Sequence, residues 1–379
     1  MTMTSLIESD LEPVSASLPE VPADTPAERL ESLDAYRGFI MSTLLCGSIF
    51  GSLRGVPGWN WLYLQNEHVD WEGCVYWDLI QPSFMYMVGV AMPFALGRRA
   101  ALGDSWIRRL QHVLRRALGL FLIGVILDNF GAGAWSFGYI RVLQQIAIGY
   151  VLAFFVVGKS FRTQGLVAAA ILVGYTLLWI FNPWNGSDGP WAKGTENIGT
   201  ALDFWILGRH YPGYYVGLNA IPSTATIIFG VMAGQLILKR LPPGRTMLIL
   251  LVAGLGGIAV GLAVSPWFPL VKRIWTPSFA VYAGGWTTLI LLGFYATIEA
   301  LGWRRWAFPL VVVGMNSIAA YVLASAFGGW FRSLTGAWIG WLKSPLGTTW
   351  FPVFQHLIVF CCAWVVLYWL WRRRIFFKV

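Results

Sequence analysis

Long apolar runs broken by short polar segments dominate the chain, and several reach about 18 to 22 residues, enough for a helix to cross a bilayer core. Set between their breakers, the runs predict about ten transmembrane helices, roughly at 36–53, 75–97, 110–129, 139–158, 165–182, 223–239, 246–264, 278–299, 307–329 and 350–371. The expected fold is an all-α integral membrane protein. Polar sequence gathers in two larger outer loops, 54–74 and 183–222, and a shorter one near 330–349; the cytoplasmic loops are short. No repeat of fixed period and no second soluble domain is visible. Gly230 and Gly234, and Gly257 and Gly261, have the GxxxG spacing that lets helices approach closely.

Composition strengthens this picture. Hydrophobic residues make up 57% of the 379 and charged residues 12%, about half the charge of a soluble domain. Mean hydropathy is +0.61, and 22 Trp with 14 Tyr suit aromatic belts at two membrane interfaces. The net charge of +9 does not signal nucleic acid, because most basic residues occupy short loops between spans, among them Arg98, Arg99, Arg108, Arg109, Lys239, Arg240, Arg304 and Arg305. Placing those loops inside gives an N-in/C-in topology, and an even number of spans agrees. Residues 1–28 carry Glu8, Asp10, Glu12, Glu20, Asp24 and Glu28 with no Lys or Arg. They read as a disordered acidic cytoplasmic tail ahead of a transmembrane domain at 29–379; no cleavable signal peptide is visible. Cys46, Cys74, Cys361 and Cys362 form no CxxC pair and have no His at ligand spacing, so neither a disulfide framework nor a metal is expected.

Ionisable groups in or near hydrocarbon are costly and mark candidate sites. Asp34 and Arg37, three apart, can pair on one helical face where the chain enters the membrane. Arg108, Arg109, Arg115 and Arg116 share a face across two turns, and the last two reach toward the apolar stretch. His68 lies on an outer loop, and Asp78 about one turn into the second span; together they would make a base and its orienter. Gly73 between them would let the chain turn back. Asn316, in Gly314-Met315-Asn316-Ser317-Ile318, suits an interhelical hydrogen bond.

These segments resemble the heparan-α-glucosaminide N-acetyltransferase family and its bacterial relatives. The family's R-L-x-S-x-D-x-x-R-G is matched from Arg29 to Gly38, and its H-x-x-W-x-G-x-x-x-x-D-L-x-x-P by His68, Trp71, Gly73, Asp78, Leu79 and Pro82. An arginine followed eight positions later by glycine matches Arg116 and Gly124, V-L-Q matches Val142 to Gln144, and G-M-N-S-I matches Gly314 to Ile318. The basic tail, Arg373 to Lys378, is also similar. The resemblance implies ten core helices and acetyl transfer from cytosolic acetyl-CoA to an amino sugar or glycan across the membrane. It implies that His68 is catalytic, with Asp78 beside it. Where the family has an asparagine that helps polarise the acyl carbonyl, this chain has Ser48, expected to serve in its place. Donor binding falls to Arg37, Arg115, Arg116, Gln144 and Asn316. The expected partners are the lipid bilayer, acyl-CoA and the acceptor, with a homodimer left open, in a multi-pass protein of the plasma membrane. A transporter of a sugar or lipid-linked glycan, or a relative that kept the fold without the chemistry, are the competing readings.

Sidedness is directly testable. Single cysteines on a Cys-free background should label from outside at positions 70 and 193, and from the cytoplasm in the 98–109 loop and at both termini. Labelling of position 70 only from the cytoplasm reverses the orientation.

Overall fold

A computed structural model describes residues 30–130 and 135–377; the acidic tail at 1–28, Arg29 and Lys378 lie outside the described residues. Among the described residues all regular structure is helical. In chain order the helices are α1 (Glu31–Cys46), α2 (Asn60–Gln65), α3 (Ile80–Ala101), α4 (Trp106–Asn129), α5 (Val142–Phe154), α6 (Phe161–Ile180), α7 (Ile198–Leu207), α8 (Ala220–Leu238), α9 (Pro243–Val264), α10 (Pro277–Phe294), α11 (Phe308–Met315), α12 (Ser317–Val322), α13 (Gly328–Ile339) and α14 (Lys343–Arg372).

Seven helical stretches among the described residues are long and apolar enough to cross a membrane. The segments expected as first, fourth and ninth spans fold as shorter helices: α1 has 16 residues, α5 has 13 and α11 has 8. The ninth is broken at Asn316, whose backbone (φ −120°, ψ 41°) leaves the helix between α11 and α12. Its side chain explains the break. Asn316 Nδ2 donates to Ile375 O at 3.1 Å, and Phe377 N donates to Asn316 Oδ1 at 3.3 Å, so this amide clasps the C-terminal strand of chain instead of sitting in a helix face. The stretch near 330–349, expected as a loop, is mostly helical, with a kink at Gly347.

Helix α3 and helix α8 form the centre. In the spans that contain them, 78% and 72% of the most apolar stretch is buried, against 17% for α9. Their backbones approach so closely that a Cβ at Gly89 would overlap the Ile227 carbonyl, one at Gly230 the Tyr86 carbonyl, and one at Gly234 the Val90 carbonyl. Gly257 and Gly261 of α9 meet Gly285 and Tyr282 of α10 in the same way, so both GxxxG pairs serve close packing. The outward face of α9 exposes Leu248, Leu251, Val252, Leu255, Val260 and Leu262. Buried amides run the other way, toward the interior: Gln81 donates to Gln145, and Gln145 to Asn219. Apolar outside and hydrogen-bonded amides inside is the arrangement a lipid solvent favours.

The first motif is explained by packing. A Cβ at Gly38 would overlap the Leu310 carbonyl and one at Gly314 the Asp34 carbonyl, so α1 and α11 touch backbone to backbone. Asp34 and Arg37 pair at 3.5 Å beside this contact, as their spacing predicts.

Gly314→Ala should therefore destabilise the detergent-solubilised protein by about 1–3 kcal/mol, the usual cost of overpacking, measured by thermal unfolding. Gly328→Ala, where an added Cβ meets nothing within 4 Å, should be neutral or slightly stabilising. Equal effects at the two positions would remove the close approach as the cause.

Candidate active site

The site is assembled where the chain enters α3. Residues Tyr76–Leu79 form a 3-10 turn, and Asp78 caps it by accepting from Val75 N at 3.3 Å. Gly73 just before it adopts φ +116°, a conformation open to glycine, which brings the His68 segment back over the helix start. His68 Nδ1 thereby lies 2.6 Å from Asp78 Oδ1. Asp78 is 1% exposed, and a buried carboxylate needs donors on each lone pair. Oδ2 receives Val75 N and, more weakly, Val69 N at 3.5 Å; Oδ1 receives the imidazole. A carboxylate at Nδ1 holds the proton there and leaves Nε2 as the lone-pair nitrogen, the arrangement of a general base with its orienter.

Lys272 completes this cluster and escaped sequence reasoning. Its Nζ lies 3.4 Å from Asp78 Oδ1 and 3.4 Å from His68 Nδ1, on a loop almost two hundred residues away in the chain. It is almost fully buried. Burial pulls its ammonium below the ordinary lysine range, and the Asp78 charge opposes that pull. Only its place beside Arg273, as one of two adjacent charges in a largely aromatic and apolar stretch from Trp267 to Trp275, marked it in the sequence.

His68 and Lys272 both line a cavity of about 600 Å³. Its other walls include Trp77 and Gln81 of the α3 entry, Tyr211 and Tyr215 of the 208–219 loop, and the Asp128–Arg141 ion pair. The 208–219 loop is tied down by Asp203 of α7, which accepts from Tyr139 Oη at 2.6 Å and from Gly217 N at 3.0 Å. Burial raises the Asp203 carboxyl above its ordinary range, and those two donors oppose the rise. Aromatic faces, two guanidinium groups (Arg141 and Arg209) and an imidazole thus face one volume. Among the described residues, no group of three or more His, Cys, Asp or Glu side chains is placed to hold a metal ion.

The remaining candidates lie elsewhere. Ser48 is exposed, in the turn after α1, and is not among the residues lining the cavity. Arg115 is exposed, whereas Arg116 is partly buried with its guanidinium 5.3 Å from the Tyr150 ring centroid. Along α4, Arg116 is twelve residues from Asp128 of the cavity wall, about 18 Å at helical rise. Gln144 is fully buried behind the cavity, donating to Asp128 Oδ2 at 3.1 Å and to Gly138 O at 3.3 Å, and packed against Gly124. The Arg116–Gly124 and Val142–Gln144 motifs therefore meet at Gln144 and Gly124. Arg37 pairs with Asp34 on α1, which packs on α11, while α4 packs on α5. Asn316 clasps the C-terminal segment, as described above.

The chain is 24% identical to the heparan-alpha-glucosaminide N-acetyltransferase of Homo sapiens and 22% identical to that of Mus musculus, in each case over 99% of its own length. It spans 63% and 65% of the length of those two proteins. It is a distant relative of them. No family model matches the chain.

The cluster makes a stability prediction of its own. Removing one partner of a buried ion pair costs about 3–5 kcal/mol because it strands the other charge. Asp78→Ala should show a loss of that size in denaturant or thermal unfolding, and Asp78→Ala combined with Lys272→Met should recover much of it. A double variant no more stable than the single one would mean that the two charges are not coupled.

Proposed function

We propose that this chain is a membrane-bound acyltransferase that moves an acetyl group from acetyl-CoA, supplied on the cytoplasmic side, to an amine or hydroxyl of an amino sugar or glycan in the cavity at the opposite face. One observation carries the reading: His68 lines the cavity, its Nδ1 is engaged by the buried Asp78, and Nε2 is the nitrogen left to accept a proton. The relationship to the N-acetyltransferases named above supports it.

In the direct route Nε2 removes the acceptor proton as the acceptor attacks the thioester carbonyl. The C–S bond breaks, and the imidazolium returns the proton to the CoA thiolate. In the covalent route Nε2 itself attacks and CoA leaves as the thiolate; the acceptor then takes the acetyl group from the acetyl-imidazolium, which frees Nε2, and the acceptor's proton passes through Nε2 to the thiolate. Asp78 holds the ring in place in both. Ser48, if it reaches the carbonyl oxygen, stabilises the charge that develops there, a contribution typically worth about 10²–10³ in kcat.

The two ends of the molecule suit this division of labour. Asp78 lies in the turn that leads into α3 and Arg98 in its last turn, twenty residues on, so the cavity and the basic end are about 30 Å apart. Arg116, between them on α4, is our candidate for a donor phosphate, because a guanidinium can bind phosphate through two parallel hydrogen bonds. A pantetheine arm directed along α4 would span the remaining distance to His68. In this proposal the membrane is the plasma membrane, with the acyl donor made in the cytoplasm.

His68→Ala should abolish acetyl transfer in purified protein while acetyl-CoA binding survives. Arg116→Ala should weaken that binding by about 1.5–3 kcal/mol, the usual worth of a hydrogen bond to a charged group. An acetyl adduct on His68, trapped without acceptor and read by mass spectrometry, selects the covalent route; a strict need for both substrates selects direct attack. Full transfer by correctly inserted His68→Ala protein sinks the assignment, and wild-type turnover in Ser48→Ala removes Ser48 from the mechanism.

A further inference from the structure

We infer that Lys272 is a positioning residue whose charge, set against buried Asp78, keeps His68 in the neutral form that can act as a base or nucleophile. The inference rests on His68 being the reacting group, but its test reads the imidazole and not the reaction.

The geometry poses an electrostatic problem. A carboxylate in contact with an imidazole favours the imidazolium, and an opposite charge at such range commonly shifts a titration by about 1 to 3 units. Asp78, 2.6 Å from Nδ1, therefore pulls toward the doubly protonated ring, which can neither accept a proton nor attack. Lys272 Nζ, 3.4 Å from the same Oδ1 and 3.4 Å from His68 Nδ1, supplies the offset. With Lys272 present, the carboxylate can still orient the ring without charging it.

The loop that carries Lys272 is built to hold it there. Val271, Lys272, Ile274, Trp275 and Thr276 are all buried. Val271 N donates to Thr276 Oγ1 at 3.0 Å, Tyr175 Oη to Ile274 O at 2.7 Å, and Asn219 Nδ2 to Arg273 O at 3.0 Å. That last bond ends the buried amide chain from Gln81 through Gln145. Gly73 N donates to Leu270 O at 2.8 Å, fastening the loop to the His68 segment. Trp275 takes φ +52°, a left-handed conformation costly for a large side chain. Such strain persists only where the surroundings over-determine it, and here it fixes the turn that aims Lys272 inward.

Other charged and titratable groups stand around His68 on its own segment, on the Lys272 loop and across the cavity. On its own segment, Glu67 and Glu72 are neighbours in the chain, Asp70 is paired with Lys193 at 2.7 Å, and Cys74 lies beside the Asp78–Lys272 pair. From the Lys272 loop, Arg273 donates to Val69 O and Gly213 O and stacks on Tyr215. Across the cavity stand Arg209, Tyr211, Tyr215, Tyr321 and the Asp128–Arg141 pair. Among the described residues, Asp78 and Lys272 are the side chains within 3.5 Å of the ring's Nδ1.

Diethyl pyrocarbonate acylates neutral imidazole, so its rate at each histidine, followed against pH in the full chain in detergent and resolved by peptide mass spectrometry, reports protonation directly. His112, His210 and His356 serve as internal references. Lys272→Met and Lys272→Gln should each raise the His68 midpoint by about one pH unit or more, with the reference midpoints unmoved. Because a stranded Asp78 threatens folding, the Gln substitution is also made on Asp78→Asn, where it should again raise the midpoint relative to Asp78→Asn alone. A His68 midpoint unchanged by loss of the lysine charge in both backgrounds overturns the inference, and so does a wild-type midpoint in Lys272→Gln, which would make a hydrogen bond and not charge the agent. Where transfer is measurable, the acid limb of its pH profile should move by the same amount; if His68→Ala retained transfer, the functional reading would fail while the midpoint result stood.

Discussion

A carboxylate with almost no access to water must find donors inside the protein, and at Asp78 they come from two separate parts of the chain. Val75 and Val69 give backbone N–H groups, His68 gives an imidazole and Lys272 an ammonium. One side chain thus starts helix α3, pulls the 66–75 loop back over the helix end and draws in the loop before α10. Moving Asp78 one position along its 3-10 turn would rotate it by about 120° and lose all of these at once. Much of the site's geometry follows from satisfying that single buried charge.

The scaffold makes such precision possible because its centre is packed backbone to backbone. Gly89, Gly230 and Gly234 let α3 and α8 lie closer than any side chain allows, which fixes the height of Asp78 against Asn219 at the start of α8. From Asn219 the hydrogen bonds continue to Arg273 O and so to the Lys272 loop. Cavity wall, helix pair and loop are one continuous hydrogen-bonded and packed unit. The apolar outer faces of α4, α6 and α9 carry no part of it and contribute mainly solvation by lipid.

The site is at one end of the long helices and the densest basic sequence at the other. In the proposed acyl transfer, that separation is the reason the chemistry is carried by a membrane protein: donor and acceptor come from opposite aqueous phases, and only an extended donor arm links them. The cavity's aromatic faces and guanidinium groups are compatible with a sugar ring, and Gln144 joins its wall to the α4–α5 hairpin that bears Arg116.

Short-range physics was legible in the sequence. Apolar run length marked a helical membrane protein; spacing marked the Asp34–Arg37 pair and the GxxxG contacts; and His68 with Asp78, ten residues apart across a glycine, could be read as a pair because little chain entropy separates them. Hydropathy averages over a window, so it counted 307–329 as one span and missed the break at Asn316, which depends on hydrogen bonds to a segment about sixty residues away. Lys272 was invisible for the same reason. Its meaning lies in a contact across 194 residues, and a Lys-Arg pair in a largely apolar stretch carries no local signal of the carboxylate that one of them will meet. The amide chain Gln81–Gln145–Asn219 likewise joins three helices, and a glutamine in an apolar run does not announce its partner. Sequence alone determined which residues prefer lipid, which pairs lie within a helical turn or a tight loop, and where polar groups are expensive. Which expensive groups come together was decided by tertiary packing, because burying each charge or amide required a partner that only the folded bundle could bring within bonding distance.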